Sequence, residues 1–443
     1  LIYDNRGLQL TIEKLVYGGD GLARLPADVR GSGKAAFVPF VLPGETVEAE
    51  LTEQHPGFAR AQVKTIVRPS PARIAAECPY FTACGGCHYQ HAPYEEQLRI
   101  KSAILRENLR RIAKLELQSD VQVHASPPWN YRNRTRLGLR ADGRFVLGYR
   151  RFGSDSLLAV EQCPISSPLI NRAIQAMWAA GRGGQVSSEI REAEFFANAD
   201  DSRLLVTLYV TQDSIGNVGG LRPLAAFLQQ KVPEVGTVAA ISERALAGSE
   251  QTKGVQATAL LGPANLKYSV DGVNLQVTAG AFFQTNRHLV SSLARLVTAG
   301  CRGRVALDLF AGVGLFSVTL AREFDHVVAV EASPTSFSDL RYNAPAKVKA
   351  VRGTVQQFLE DGGRRIRPDL IVVDPPRAGL GERVAQSLAD QRSPRVTYVS
   401  CDPATLARDL KVLLAAGYRV RQAHLVDMFP QTYHLESVLE LER

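Results

Sequence analysis

Short alternating or β-branched runs at Leu8 to Leu15, Ala35 to Phe40, Thr46 to Thr52 and Ala59 to Val67 predict the strands of a small β unit over residues 6–67. Gly18-Gly19-Asp20-Gly21, Pro43-Gly44 and Pro56-Gly57 supply the turns between them. Strands at that spacing suggest an OB-like barrel. Past a Pro69-Ser70-Pro71 linker the period lengthens. Tyr94, Leu98, Ile104, Leu105, Leu109 and Ile112 recur at helical spacing and predict a helix over 94–115. Its other face carries Arg99, Lys101, Arg106, Arg110, Arg111 and Lys114. An Asp142-Gly143 turn between Arg136–Arg140 and Arg144–Arg151 predicts a hairpin. Strand-like runs such as Leu204–Val210 and Leu275–Thr278 then continue a β-rich centre over 190–278.

From Val305 onward strands and helices alternate. Val305–Leu309 reads as a buried strand, Phe310-Ala311-Gly312-Val313-Gly314 as a glycine turn, and Leu315 to Arg322 as the helix behind it. Val327 to Val330 is the next strand and ends in Glu331. This is the start of a nucleotide-type α/β unit. The expected organisation is three domains: a barrel at 1–68, a central β-rich domain at 69–262, and an α/β, Rossmann-like domain at 263–443. Helix 94–115 is free to pack on the last of these.

Lys and Arg outnumber Asp and Glu by 52 to 44, a net +8 that suits a polyanionic partner without requiring one. No window has the apolar length of a membrane span, and Leu1–Arg6 lacks a signal pattern, so a cytoplasmic protein with no membrane partner is expected. A monomer is expected too. The basic hairpin sharpens the charge argument, because Arg132, Arg134, Arg136, Arg140, Arg144, Arg150 and Arg151 fall in a stretch without Glu. Tyr131, Phe145, Tyr149 and Phe152 lie among them, a pattern that suits bases stacked beside paired phosphates.

Cys78, Cys84 and Cys87 form a C-x5-C-x2-C array, and Cys163 in Gln162-Cys163-Pro164 is the candidate fourth ligand. Spacing leaves zinc and a [4Fe-4S] cluster equally open. Cys401 stands where the strand Val396 to Val399 hands over to a helix opened by Pro403, a place where a helix N-terminus can stabilise a thiolate. The glycine turn has Ser317 at the third position of a dinucleotide motif, which weakens a pyrophosphate site. An acid closing strand two, Glu331, fits a ribose and hence S-adenosylmethionine better. Leu370-Ile371-Val372-Val373-Asp374-Pro375-Pro376-Arg377 runs a buried strand into a rigid double-proline turn.

Tyr17–Ala23, Phe37-Val38-Pro39 and Pro43-Gly44-Glu45 together resemble a TRAM domain, a module attached to RNA-modifying enzymes. Asp308–Gly314, Asp374–Leu380, Ser400–Leu410 and Phe429–Val438 resemble the RNA (uracil-5-) methyltransferase family, and Gly280–Asn286 matches the segment upstream of its cofactor fold. The four cysteines match the cluster-bearing rRNA branch. The resemblance implies Cys401 as nucleophile and Glu436 as base, with His434 a rival base. It implies Gln284, Phe310, Glu331 and Asp374 as S-adenosylmethionine contacts, and a [4Fe-4S] cluster, with zinc as the alternative, on Cys78, Cys84, Cys87 and Cys163. RNA is the implied partner, rRNA before tRNA. Cytosine methylation, or an idle RNA-binding protein that keeps the fold, are the competing readings. Two departures bear on the site: Asp402 replaces the commoner Asn after the nucleophile, and Thr354 stands where an acid or amide usually meets adenine.

Overall fold

The structure is a computed structural model that describes residues 8–26, 33–211, 218–242 and 257–443; the Leu1–Arg6 opening lies outside them. Six strands make the first sheet: β1 (Leu8–Thr11), β2 (Lys14–Leu15), β3 (Gly21–Arg24), β4 (Ala35–Val38), β5 (Thr46–Gln54) and β6 (Phe58–Arg68). Their order is β1-β5-β6-β4-β3-β2. β3 occupies the end of what the sequence suggests is only a turn. Gly18 and Gly19 make that turn with positive φ, and Gly21 is already in the sheet. A Cβ on Gly21 would sit 2.3 Å from the Val41 side chain, so only glycine lets the strand close here.

The expected helix spans Tyr94–Asn108 and runs into a π turn at Leu109–Ala113. Ile100, Ile104, Leu105 and Leu109 pack in one core with Leu406, Leu410 and Leu413 of the α/β sheet's helix layer. β7 (Gln122–His124) follows and pairs in parallel with β22 (Arg419–Val426). Residues 94–124 therefore fold with the α/β sheet of the C-terminal part, although they lie inside the 69–262 segment. The basic face is not uniform. Lys101 is fully buried, with Nζ donating to Asp427 Oδ1 at 2.6 Å and to the Phe429 carbonyl at 2.9 Å. Arg99, Arg106 and Arg111 pair with Glu96, Asp120 and Glu107.

A seven-stranded sheet fills the centre: β8 (Arg134–Arg140), β9 (Val146–Arg150), β10 (Leu157–Ala159), β11 (Ile190–Ala197), β12 (Leu204–Val210), β13 (Val235–Ser242) and β14 (Thr258–Leu261). Helices Pro168–Arg182 and Arg222–Lys231 pack on it through Ile174, Met177, Leu224 and Leu228. β8 and β9 form the expected hairpin, Arg140 opposite Val146. Its arginines are less free than the local composition implies, because the glutamates come from the neighbouring strand. Arg134 pairs with Glu194, and Arg136 pairs with Glu192 while lying 3.7 Å over the Tyr209 ring. Of the interleaved aromatics, Tyr131 and Phe145 are buried in the core and Phe152 is exposed. The expectation of a stacking surface is corrected accordingly, since a buried ring cannot also receive a base.

A short ribbon, β15 (Asn265–Val270) and β16 (Val273–Thr278), leads to the last sheet. That sheet contains β17 (Gly303–Leu309), β18 (Phe324–Glu331), β19 (Val348–Arg352), β20 (Leu370–Val373), β21 (Arg395–Ser400), β22 and β23 (Glu436–Glu442), in the order β19-β18-β17-β20-β21-β23-β22-β7. β23 runs antiparallel to both neighbours. β20 is buried along its whole length, which is why it reads as an uninterrupted apolar run. Among the described residues no helix is long and apolar enough to cross a membrane.

Candidate active site

Gln284, Phe310, Glu331, Asp374, Cys401 and Glu436 all line one cavity of about 600 Å³ at the carboxyl ends of the parallel strands. The glycine turn builds one wall. Phe310 leaves β17 at φ 67°, Gly312 and Gly314 also have positive φ, and helix Leu315–Leu320 starts from Gly314. Glu331 is anchored by backbone amides: Gly312 N–H donates to Oε2 at 2.8 Å and Ser333 N–H to Oε1 at 2.6 Å. Each carboxylate oxygen keeps further acceptor capacity, so a diol can still be met there. Ser317 takes no phosphate-facing role. Its hydroxyl donates to buried Asp308 at 2.5 Å. Thr354 lines the cavity, but its hydroxyl caps helix Val355–Glu360 by accepting from Gln357 N–H.

The β21–β23 register brings Cys401 and Glu436 together. Ser400 pairs with Ser437 in antiparallel alignment, so Cys401, just past β21, comes level with Glu436, which opens β23 and pairs with Val426 of β22. Burial, then the negative charges of Glu436 and Asp374, push the Cys401 thiol up to about 12, and Arg377 acts against them. The helix-terminus expectation needs correction here. The first amides of helix Pro403–Ala415 are satisfied by Asp402, whose Oδ1 accepts from Ala404 N–H and Thr405 N–H at 3.0 Å each. A carboxylate therefore occupies the place where a thiolate would have used the helix end, and the thiol rests protonated. Burial and then Asp374 hold the Glu436 carboxyl well above the usual range. Asp374 itself is raised to about 7 by burial and by Asp308. His434 is in a different state. Its Nδ1 accepts from Arg377 at 2.9 Å, and burial plus Arg377 push it down to about 3, so it is neutral and a weak base.

Cys78, Cys84, Cys87 and Cys163 line a second cavity together with Arg132, Gln90 and Tyr149. All four are free thiols. Gln90 accepts from Cys78 N–H at 3.2 Å, and Asn171 accepts from Cys163 N–H at 2.8 Å. Among the described residues no three His, Cys, Asp or Glu side chains converge as ligands of a single ion. Just past Cys87, the amides of His88 and Tyr89 both donate to the Gln431 carbonyl, on the loop that leads to Glu436.

The family model described as tRNA (Uracil-5-)-methyltransferase matches residues 93–354 and 364–443, and the TRAM domain model matches residues 3–64. The chain belongs to the RNA (uracil-5-) methyltransferase family. It is similar to the 23S rRNA (uracil(1939)-C(5))-methyltransferase RlmD of Pectobacterium atrosepticum, with 34% identity covering 98% of this chain and 93% of that protein. An uncharacterized RNA methyltransferase of Aquifex aeolicus is 32% identical over 99% of both chains. Among solved structures, the tRNA (uracil-54, C5)-methyltransferase of Pyrococcus abyssi in complex with S-adenosyl-L-homocysteine shares the fold, with TM-score 0.72 and 23% identity over 98% of this chain and all of that one. This chain is thus an S-adenosylmethionine-dependent RNA (uracil-5-) methyltransferase with a TRAM domain.

Three site residues of this methyltransferase escape a reading of the sequence. Arg377 is visible only as part of the Pro-Pro turn, yet it bears on both Cys401 and His434. Tyr17, in the TRAM domain, donates its hydroxyl to the Cys401 carbonyl and packs edge-on against Tyr433 at 5.6 Å. Arg132 faces the four thiols. No spacing rule marks the last two, because both contacts join distant segments.

Proposed function

We propose that this enzyme methylates carbon 5 of a uridine in 23S rRNA through a covalent bond between Cys401 and carbon 6 of the base. The observation that carries this reading is the β21–β23 register, which sets Cys401 beside Glu436 in the cavity shared by Gln284, Phe310, Glu331 and Asp374. Those four residues would hold S-adenosylmethionine, which supplies an electrophilic methyl group for carbon 5. Carbon 5 of uracil is too weak a nucleophile alone. Once the Cys401 thiol has lost its proton to solvent, the thiolate sulfur adds to carbon 6 and drives the C5–C6 π electrons into an enolate on oxygen 4, which makes carbon 5 nucleophilic. After carbon 5 is methylated, Glu436 takes its remaining proton, the C5–C6 double bond reforms, and the C6–S bond breaks to return the thiolate. The raised Glu436 carboxyl makes it a competent base once ionised, and neutral His434 a poor rival.

The rRNA assignment is supported by full-length similarity to an enzyme named for 23S rRNA, together with the TRAM domain. RNA carrying 5-fluorouridine tests the mechanism, because fluorine cannot leave as a cation and the adduct persists. Wild type should give a stable protein–RNA band that Cys401→Ala lacks. Equal bands would sink the mechanism. Mapping 5-methyluridine in RNA from cells without the protein tests the substrate, with a tRNA position as the outcome that overturns the rRNA reading.

The proposal includes a [4Fe-4S] cluster on Cys78, Cys84, Cys87 and Cys163. Four thiols lining one cavity fit the donor set of such a cluster, with zinc as the alternative. Methyl transfer needs no electron, so the cluster's part is to hold the segments around it. Iron, sulfide and zinc contents of anaerobically purified protein decide between the metals.

A further inference from the structure

We infer that Arg132 is the charge partner of the four-cysteine centre and sets its redox potential. The inference rests on the cluster reading above. Arg132 follows Tyr131, whose buried ring donates its hydroxyl to the Pro430 carbonyl at 3.0 Å. The Arg132 backbone is fastened on two sides, its N–H donating to the Ile165 carbonyl and its carbonyl accepting from Ser167 N–H. The side chain therefore has little choice of direction. It enters the cavity lined by Cys78, Cys84, Cys87 and Cys163. Its Nε is sealed from solvent and has no hydrogen-bond partner. The ionisable groups that bear on it most are Tyr131, Tyr149, Cys163 and Cys87, with no carboxylate among them.

An Nε–H sealed from solvent with no acceptor is expensive, because it gives up hydration and receives nothing in return. The neighbouring arginines do not share this state: Arg134 and Arg136 each have a glutamate. Among the groups that bear on Arg132 most, the cysteines are those that become anions on binding a metal. As free thiols the cysteines are neutral. As ligands they are thiolates, and a four-thiolate cluster is net negative. Loading the centre supplies the anion that Arg132 lacks, and the Nε–H gains an acceptor among thiolate or sulfide sulfurs. Hydrogen bonds and charge near the sulfurs are the protein's means of tuning such a centre. A nearby cation favours the reduced, more negative state and raises the potential.

The test is a redox titration of anaerobically reconstituted wild type, Arg132→Lys and Arg132→Met, with iron and sulfide assayed on each sample. Arg132→Met should have a more negative midpoint potential and lose its cluster several-fold faster in air, with Arg132→Lys close to wild type in potential. If Arg132→Met will not load while Arg132→Lys does, the requirement for charge is likewise supported. Equal potentials and equal rates of cluster loss in all three proteins would overturn the inference, and so would equal failure of both variants to load in chains that keep wild-type secondary structure. Wild type without iron or sulfide would instead overturn the cluster reading itself, and with it this inference.

Discussion

The hydroxyl of Tyr17 donates to the carbonyl of Cys401 at 2.8 Å. The first sheet's β2–β3 turn thereby reaches the backbone of the residue proposed as nucleophile, so the TRAM domain touches the cavity segment directly. Tyr17→Phe keeps the ring against Tyr433 and removes only the hydrogen bond. A loss of about 1 kcal/mol in positioning corresponds to about a fivefold fall in kcat. Single-turnover kinetics should show that fall with S-adenosylmethionine affinity unchanged. An unaltered kcat would reduce the contact to packing.

Glu436→Gln retains shape and hydrogen bonding but cannot accept the carbon 5 proton. Turnover should fall by at least ~100-fold. A methylated, covalent protein–RNA species should accumulate with ordinary uridine RNA, read by denaturing gel and mass spectrometry. His434→Gln should leave the shape of the pH–rate profile intact from pH 5 to 9, because its imidazole is neutral across that range. A lost limb in that profile would transfer the base role to His434.

The resting Cys401 thiol is pushed up to about 12, so thiolate is a minor fraction at every practical pH. Alkylation of Cys401 by iodoacetamide, followed by peptide mass spectrometry, should be slow at pH 7. It should rise about tenfold per pH unit without a plateau below pH 10. Arg377 opposes the upward shift, so Arg377→Met should slow alkylation further at each pH. A plateau near pH 8 in wild type would show that the thiol is already activated in the free enzyme.

Lys101 and Asp427 form a fully buried pair that ties helix Tyr94–Asn108 to the loop before Glu436. Lys101→Met strands the Asp427 charge and should cost about 3–5 kcal/mol in urea denaturation. Adding Asp427→Leu should recover part of that loss. Additive losses would mean that the two residues act independently.

Much of the architecture could be read from local pattern. The strands of the barrel, helix Tyr94–Asn108, the Arg140–Val146 hairpin and the βαβ unit around Phe310–Gly314 each follow from spacing within a few residues. Cys401, Glu331 and the Asp374 turn stand out in the local pattern, Gln284, Phe310 and Glu436 follow from motif resemblance, and all six line one cavity. What escaped is long-range. Lys101 sits in a row of solvent-seeking cations, and nothing nearby indicates that Asp427 waits for it. The glutamates facing Arg134 and Arg136 belong to a strand far along the chain. Asp402 looks like a minor exchange for Asn, yet as the helix cap it occupies the amides that the sequence seemed to offer Cys401.

β23 is made after β22 but lies between β21 and β22. Without β23, the edges of β21 and β22 that face it are unpaired, and Glu436, the first residue of β23, has no fixed place beside Cys401. β23 thus closes the sheet and the cavity together, because the residue that opens it is the one set beside Cys401.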